Sequence, residues 1–107
     1  MSNDPREYNN GSLWMLEEEK NFLLGVTQSG LDQAGSILAV DLSEEGEEFE
    51  EGDWLGEVRG KDFVLEVIAP FNLTVLERNE EIMEQTSILE DDPTGDAWML
   101  KVEKRDA

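Results

Sequence analysis

Gly56-Glu57-Val58-Arg59-Gly60-Lys61-Asp62-Phe63-Val64-Leu65-Glu66-Val67 reads as strand, tight turn and returning strand. Val58 precedes the turn, Val64, Leu65 and Val67 follow it, and Arg59-Gly60-Lys61-Asp62 lies between. Glycine adopts turn conformations that other residues resist, so Gly60 marks a two-residue hairpin. The turn carries the only lysine between Lys20 and Lys101. A single lysine on a hairpin tip, in a chain crowded with carboxylates, suggests an attachment point. The plainer reading is a charged turn residue kept for solvation, since turns are commonly polar.

Short strands continue on both sides of this hairpin. Leu13-Trp14-Met15-Leu16 and Phe22-Leu23-Leu24-Gly25-Val26 flank a polar connection and suggest another hairpin. Thr27 can cap a short helix through Leu31 to Ala34, with Gly35 as its stop. Ser36 to Leu42 is a strand, with Ile37, Ala39 and Asp41 on one face and Leu38, Val40 and Leu42 on the other. Gly46 and Gly52 suit two turns around a very short strand at Phe49. Ala69-Pro70-Phe71-Asn72 turns the chain, and Leu73 to Glu77 forms the next strand. Asn79 can cap a second short helix, with Glu80 and Glu81 in its first turn and Ile82, Met83, Ile88 and Leu89 on its apolar side. Asp91-Asp92-Pro93-Thr94-Gly95 is a turn cluster, and Ala97 to Val102 is the closing strand.

Seven or more short strands and two short helices imply an all-β sandwich or barrel rather than a βαβ fold. The organisation is an N-terminal arm over 1–12 in which Tyr8 can serve as an anchor, one domain over 13–102, and a charged tail over 103–107. Trp14, Trp54, Trp98, Phe22 and Phe63 are expected to pack the core or brace the hairpin. The other role open to Phe63 is lining a groove beside the turn.

The composition excludes much chemistry. Eight basic and 27 acidic residues give 8 − 27 = −19. So negative a surface repels phosphate, which disfavours nucleic acid and anionic membranes as partners, and it favours a monomer with basic docking partners. The chain has no Cys and no His, so thiolate nucleophiles, Cys/His zinc sites and a Ser-His-Asp triad are excluded. No apolar run approaches membrane-spanning length, and Met1-Ser2-Asn3-Asp4-Pro5 lacks the features of a signal peptide, so the cytoplasm is the expected compartment. Carboxylate clusters at Asp91-Asp92 with Asp96, or at Glu47 through Glu51, could gather a cation. Their spacing matches no EF-hand loop, and solvated acidic faces explain them better.

An ordered string runs through the chain: Trp14, Gly25-Val26-Thr27, Gly35-Ser36-Ile37, Val40-Asp41-Leu42, Gly46-Glu47, Gly52-Asp53, Gly56-Glu57-Val58, Pro70, Val75, Asn79-Glu80, Asp92-Pro93, Gly95 and Trp98 to Val102. From Tyr8 to Val102 it resembles the glycine cleavage system H protein family. The resemblance implies a barrel-sandwich hybrid of the lipoyl/biotinyl type. It also implies a carrier rather than an enzyme, with lipoate in amide linkage to a lysine at the hairpin tip. Such an arm takes an aminomethyl group from glycine decarboxylase, presents it to an aminomethyltransferase, and is reoxidised by dihydrolipoamide dehydrogenase. A lipoate ligase attaches it. Biotin carriage is disfavoured, because no methionine flanks Lys61.

The sequence departs from the family at the tip. Counted from Gly56 and from Pro70, the lipoyl position falls on Asp62, and Lys61 stands one place earlier. Arg59 and Gly60 replace the residues that lead into the lysine, which implies a remodelled turn. Leu73 stands where the family has Gly after the Pro turn, with Asn72 able to take the left-handed conformation instead. Ser12-Leu13 replaces His-Glu, and the family pattern continues past Val102 into a C-terminal helix. Lys61 is therefore the candidate attachment residue. The alternative is a non-lipoylated paralogue acting as an interaction or regulatory module, because Asp62 holds the usual position.

Overall fold

Short apolar runs separated by turn residues build two antiparallel sheets around one core. The computed structural model describes residues 6–8, 11–91 and 98–105. In order these give β1 (Arg6–Tyr8), β2 (Leu13–Glu17), β3 (Phe22–Val26), α1 (Gln28–Ala34) and β4 (Ile37–Leu42). Next come β5 (Glu48–Phe49), β6 (Trp54–Gly60), β7 (Val64–Ile68) and β8 (Leu73–Arg78). Two helices, α2 (Glu80–Glu84) and α3 (Ser87–Asp91), precede β9 (Leu100–Lys104). The larger sheet runs β1-β2-β3-β9-β8-β5 and the smaller β4-β6-β7. This is the barrel-sandwich hybrid that the family resemblance implies, in agreement with the strand pattern, with a third short helix beside the two expected.

The core is built from alternating strand residues. Leu24, Val26, Val75, Leu100 and Val102 of the larger sheet join Val40, Val58, Leu65 and Val67 of the smaller one. Each buried Leu or Val contributes roughly 1.5–3 kcal/mol by leaving water. Tyr8 ties the two sheets together, because its hydroxyl donates to the Ile68 carbonyl at 3.0 Å. Burial pushes the pKa of that phenol above its ordinary value.

Helix α1 forms where its caps predict. Thr27 Oγ1 accepts from the Gly30 amide at 3.1 Å, and the Gly35 N–H donates to the Leu31 carbonyl at 3.0 Å. Gly30, Leu31 and Ala34 form its buried face, at spacings that share one side of a helix. That face packs on β6 and β7.

Several expectations need correction. Val40 and Leu42 are buried, but a bulge between Ile37 and Ala39 leaves Leu38 68% exposed. An extra residue in a strand breaks the two-residue alternation, which composition does not reveal. A second irregularity between Trp54 and Gly56 accompanies a fully buried Leu55 and a Trp54 that is 44% exposed. Trp14 is buried and packs against Gly25, whereas Trp54 and Phe63 do not join the core. Asn79 sits at the N-cap position of α2 without a capping bond, and its amide instead donates to the Trp98 carbonyl at 2.9 Å. Ile88 and Leu89 belong to α3, not to one longer helix. Apart from Asp91, the turn expected at Asp91 to Gly95 lies outside the described residues, as do Ala97 and Asp96.

Candidate lysine attachment site

The hairpin β6–β7 closes with Lys61 and Asp62 as its two central residues. Arg59 pairs with Val64, and the Gly60 amide donates to the Phe63 carbonyl at 3.0 Å. The two-residue loop is therefore present, but Gly60 does not serve it through a positive φ, which occurs at Gly11, Gly35, Gly46 and Gly52. Gly60 is needed for space. A Cβ there would lie 2.6 Å from the Ala34 Cβ and would overlap the Ala34 carbonyl. The tip thus rests directly on the end of α1.

Two backbone bonds hold it there. The Lys61 amide donates to the Ser36 carbonyl at 2.8 Å, and the Asp62 amide to the Ala34 carbonyl at 2.9 Å. Both turn amides are satisfied by another element, so neither side chain is required for the turn. The Lys61 side chain is exposed and forms no ion pair among the described residues. Asp62 is also exposed, but its carboxylate leans on Gly35, where a Cβ would fall 2.6 Å from Asp62 Oδ2. Gly35 has φ of 80°, a conformation that suits glycine.

The cations at this end differ in their freedom. Arg59 Nε donates to Glu57 Oε2 at 2.7 Å, and its Nη2 lies 3.7 Å from Asp41 Oδ2. The hydrogen bond to Glu57 and the charges of Glu57 and Asp41 push the guanidinium pKa further up. Arg59 is therefore held on the sheet, while Lys61 projects.

Beside the tip, Phe63 is 52% and Val64 45% exposed. Both line a cavity of about 380 Å³ that also touches Ser12, Gln33, Glu66 and Ile68. Of the two roles open to Phe63, this is the groove-lining one. Sequence reading missed the contributions of Ser12, Gln33 and Val64, since nothing local marks residues from three separate elements as neighbours. It also missed Ala34 and Ser36 as the seat of the hairpin. The Gly35-Ser36 break after a capped helix was the one available signal, and it reads only as a helix stop.

The acidic runs make no metal centre among the described residues. Glu47 Oε1 accepts from the Glu44 amide at 2.9 Å, and Asp53 Oδ2 from the Glu50 amide at 2.8 Å, so these side chains close their own turns. No helix among the described residues is long and apolar enough to cross a membrane.

Comparison with known proteins bears on this geometry. The family model described as Glycine cleavage H-protein matches residues 6–107. A glycine cleavage system H protein of Prochlorococcus marinus (strain MIT 9301) is 34% identical over 87 residues, 81% of this chain and 67% of that protein. The one from Bifidobacterium longum is 33% identical over 103 residues, 96% of this chain and 75% of that protein. The crystal structure of a glycine cleavage system H protein from Mycobacterium marinum superposes with a TM-score of 0.87 and 23% identity, over 97% of this chain and 86% of the other. That last likeness speaks for the fold alone. With a family match spanning all but the first five residues, this chain belongs to the glycine cleavage H-protein family.

Proposed function

We propose that this protein is the lipoyl carrier of a glycine cleavage system, with the arm in amide linkage to Lys61 Nζ. The observation that carries the reading is the freedom of Lys61. It is an exposed amine on a hairpin tip whose backbone is already fixed by Ser36 and Ala34. Acylation there breaks no ion pair among the described residues. Lys61 gives up two protons to solvent as its amine attacks the carboxyl carbon of an activated lipoyl adenylate, and AMP leaves. One positive charge is lost from the tip.

The residues around the tip fit such a group. Phe63 and Val64 offer apolar surface for a hydrocarbon chain, and Ser12, Gln33 and Glu66 give the adjoining cavity a polar side. When bound, the dithiolane supplies the redox and group-carrying chemistry, which this chain lacks the Cys and His to supply itself. The protein contributes a fixed point of attachment, a place to shelter the chain, and an acidic surface. Glycine decarboxylase, aminomethyltransferase, dihydrolipoamide dehydrogenase and a lipoate ligase are the partners this role requires. Basic docking surfaces on them would complement the charge of −19.

The test is intact-mass analysis of the protein produced with lipoate and a lipoate ligase. Addition of one lipoyl group, absent in Lys61→Ala, supports the reading. Unmodified wild-type protein favours the non-lipoylated role instead.

A further inference from the structure

We infer that Gly60 and Gly35 together form a seat that decides which of the two turn residues is presented for acylation, Lys61 outward and Asp62 against α1. The inference rests on the proposed carrier role and deepens it, because it assigns positioning residues for the attachment step.

Three observations point the same way. At Gly60 any side chain would collide with Ala34, so the hairpin reaches the end of α1 only with glycine there. That contact brings the Lys61 and Asp62 amides onto the Ser36 and Ala34 carbonyls at 2.8 and 2.9 Å. At Gly35, whose φ is 80°, the missing Cβ leaves room for the Asp62 carboxylate. Neighbouring residues in a two-residue loop project differently, so a tip pinned at both amides has one presentation rather than several. An acyl-transferring enzyme meets Lys61 in that presentation. The Asp62 carboxylate, though exposed, lies beside Gly35 at the end of α1.

The seat therefore compensates for the one-residue shift of the lysine. If it is removed, the tip lifts and the distinction between positions 61 and 62 fades. Misplacing a reacting group by about 1 Å can cost on the order of a hundredfold in rate.

Four proteins test this: wild type, Gly60→Ala, the shifted pair Lys61→Val/Asp62→Lys, and the shifted pair with Gly60→Ala. Each is incubated with lipoate, ATP and a lipoate ligase, and the initial rate of lipoyl addition is followed by intact mass. In parallel, hydrogen exchange reads amide protection at residues 61 and 62. The expected result is that Gly60→Ala slows addition to the wild-type tip by at least about tenfold, and that both amides lose protection. In the shifted pair the same substitution leaves the rate unchanged or raises it. A merely structural role for Gly60 would slow both backgrounds alike, and that outcome overturns the seat. Retained protection, or an unchanged wild-type rate with Gly60→Ala, also overturns it while leaving the carrier reading intact. Wild-type protein that takes no lipoyl group, beside a shifted pair that does, overturns both Lys61 as the attachment residue and the seat.

Discussion

The hairpin β6–β7 has two ends, and they differ in what their turn side chains do. At the Lys61 end, backbone amides reach to carbonyls of another element, and the lysine side chain is left without an ion pair among the described residues. At the other end the Gly46 and Gly52 amides likewise reach the Val75 and Ala69 carbonyls, but side chains also close the acidic turns over residues 44–53. Glu47 bonds the Glu44 amide and Asp53 the Glu50 amide, while Asn72 Oδ1 takes the Glu51 amide at 2.8 Å. A side chain that closes a turn is not free for chemistry. A turn whose amides are satisfied from outside can present its side chain to a partner enzyme. The difference is what the proposed attachment at Lys61 rests on, in a chain with 27 acidic residues whose described members gather no metal-binding cluster.

The largest expected effect lies beneath the tip. Leu65 is buried under the hairpin and pairs with Val58, so Leu65→Ala costs about 2–5 kcal/mol in urea unfolding. Lys61→Ala, at the same end, stays within about 0.5 kcal/mol, because its side chain is exposed and makes no ion pair among the described residues. A large loss from Lys61→Ala would break the comparison by showing the lysine to be part of the scaffold.

Tyr8, the sole tyrosine, braces the acidic end through Ile68, which pairs with Trp54. Its pKa is raised by burial, so its stabilising contribution is complete below the unfolded value of about 10. That contribution is lost as pH climbs through the higher folded value. Stability measured against pH should therefore fall above about pH 10, and Tyr8→Phe should flatten that fall while costing about 1 kcal/mol at neutral pH. A fall of equal steepness in both proteins would remove Tyr8 from this role.

Smaller still is Asp53→Ala, which removes one side-chain bond to the Glu50 amide. It should cost about 0.5–1 kcal/mol in thermal unfolding and leave lipoyl addition unaltered. Slowed addition would mean that the two ends are coupled. The smallest effect is that of salt. Screening shortens from about 10 Å at 0.1 M to about 3 Å at 1 M, so added salt should raise the melting temperature slightly by relieving repulsion among residues 44–53. A decrease would show that the ion pairs of Arg59, Arg78 and Arg105 outweigh that repulsion.

Much of this molecule was legible in its residues because local signals agreed with the global fold. Thr27 and Gly35 bounded α1, and alternating Val and Leu marked the strands. A two-residue turn within Arg59 to Asp62 was expected with Gly60 at the turn, and its central residues are Lys61 and Asp62. What was not legible depends on contacts between distant segments. The bulge at Leu38 and the outward turn of Trp54 follow from strand registers that no short window encodes. Gly60 has an obvious local reading as a turn former, yet its reason is the proximity of Ala34, 26 positions earlier. The cavity beside Phe63 joins residues from separate elements and carries no motif at all.

The central proposal is that Lys61, one place out of the register expected from the family resemblance, is the residue that carries the arm. The most direct measurement is fragmentation mass spectrometry of the protein after incubation with lipoate, ATP and a lipoate ligase. The account predicts a single lipoyl group localised to Lys61 and absent from Lys20, Lys101 and Lys104. Protein that remains unmodified beside a modified control, or a group localised to any other lysine, would contradict it.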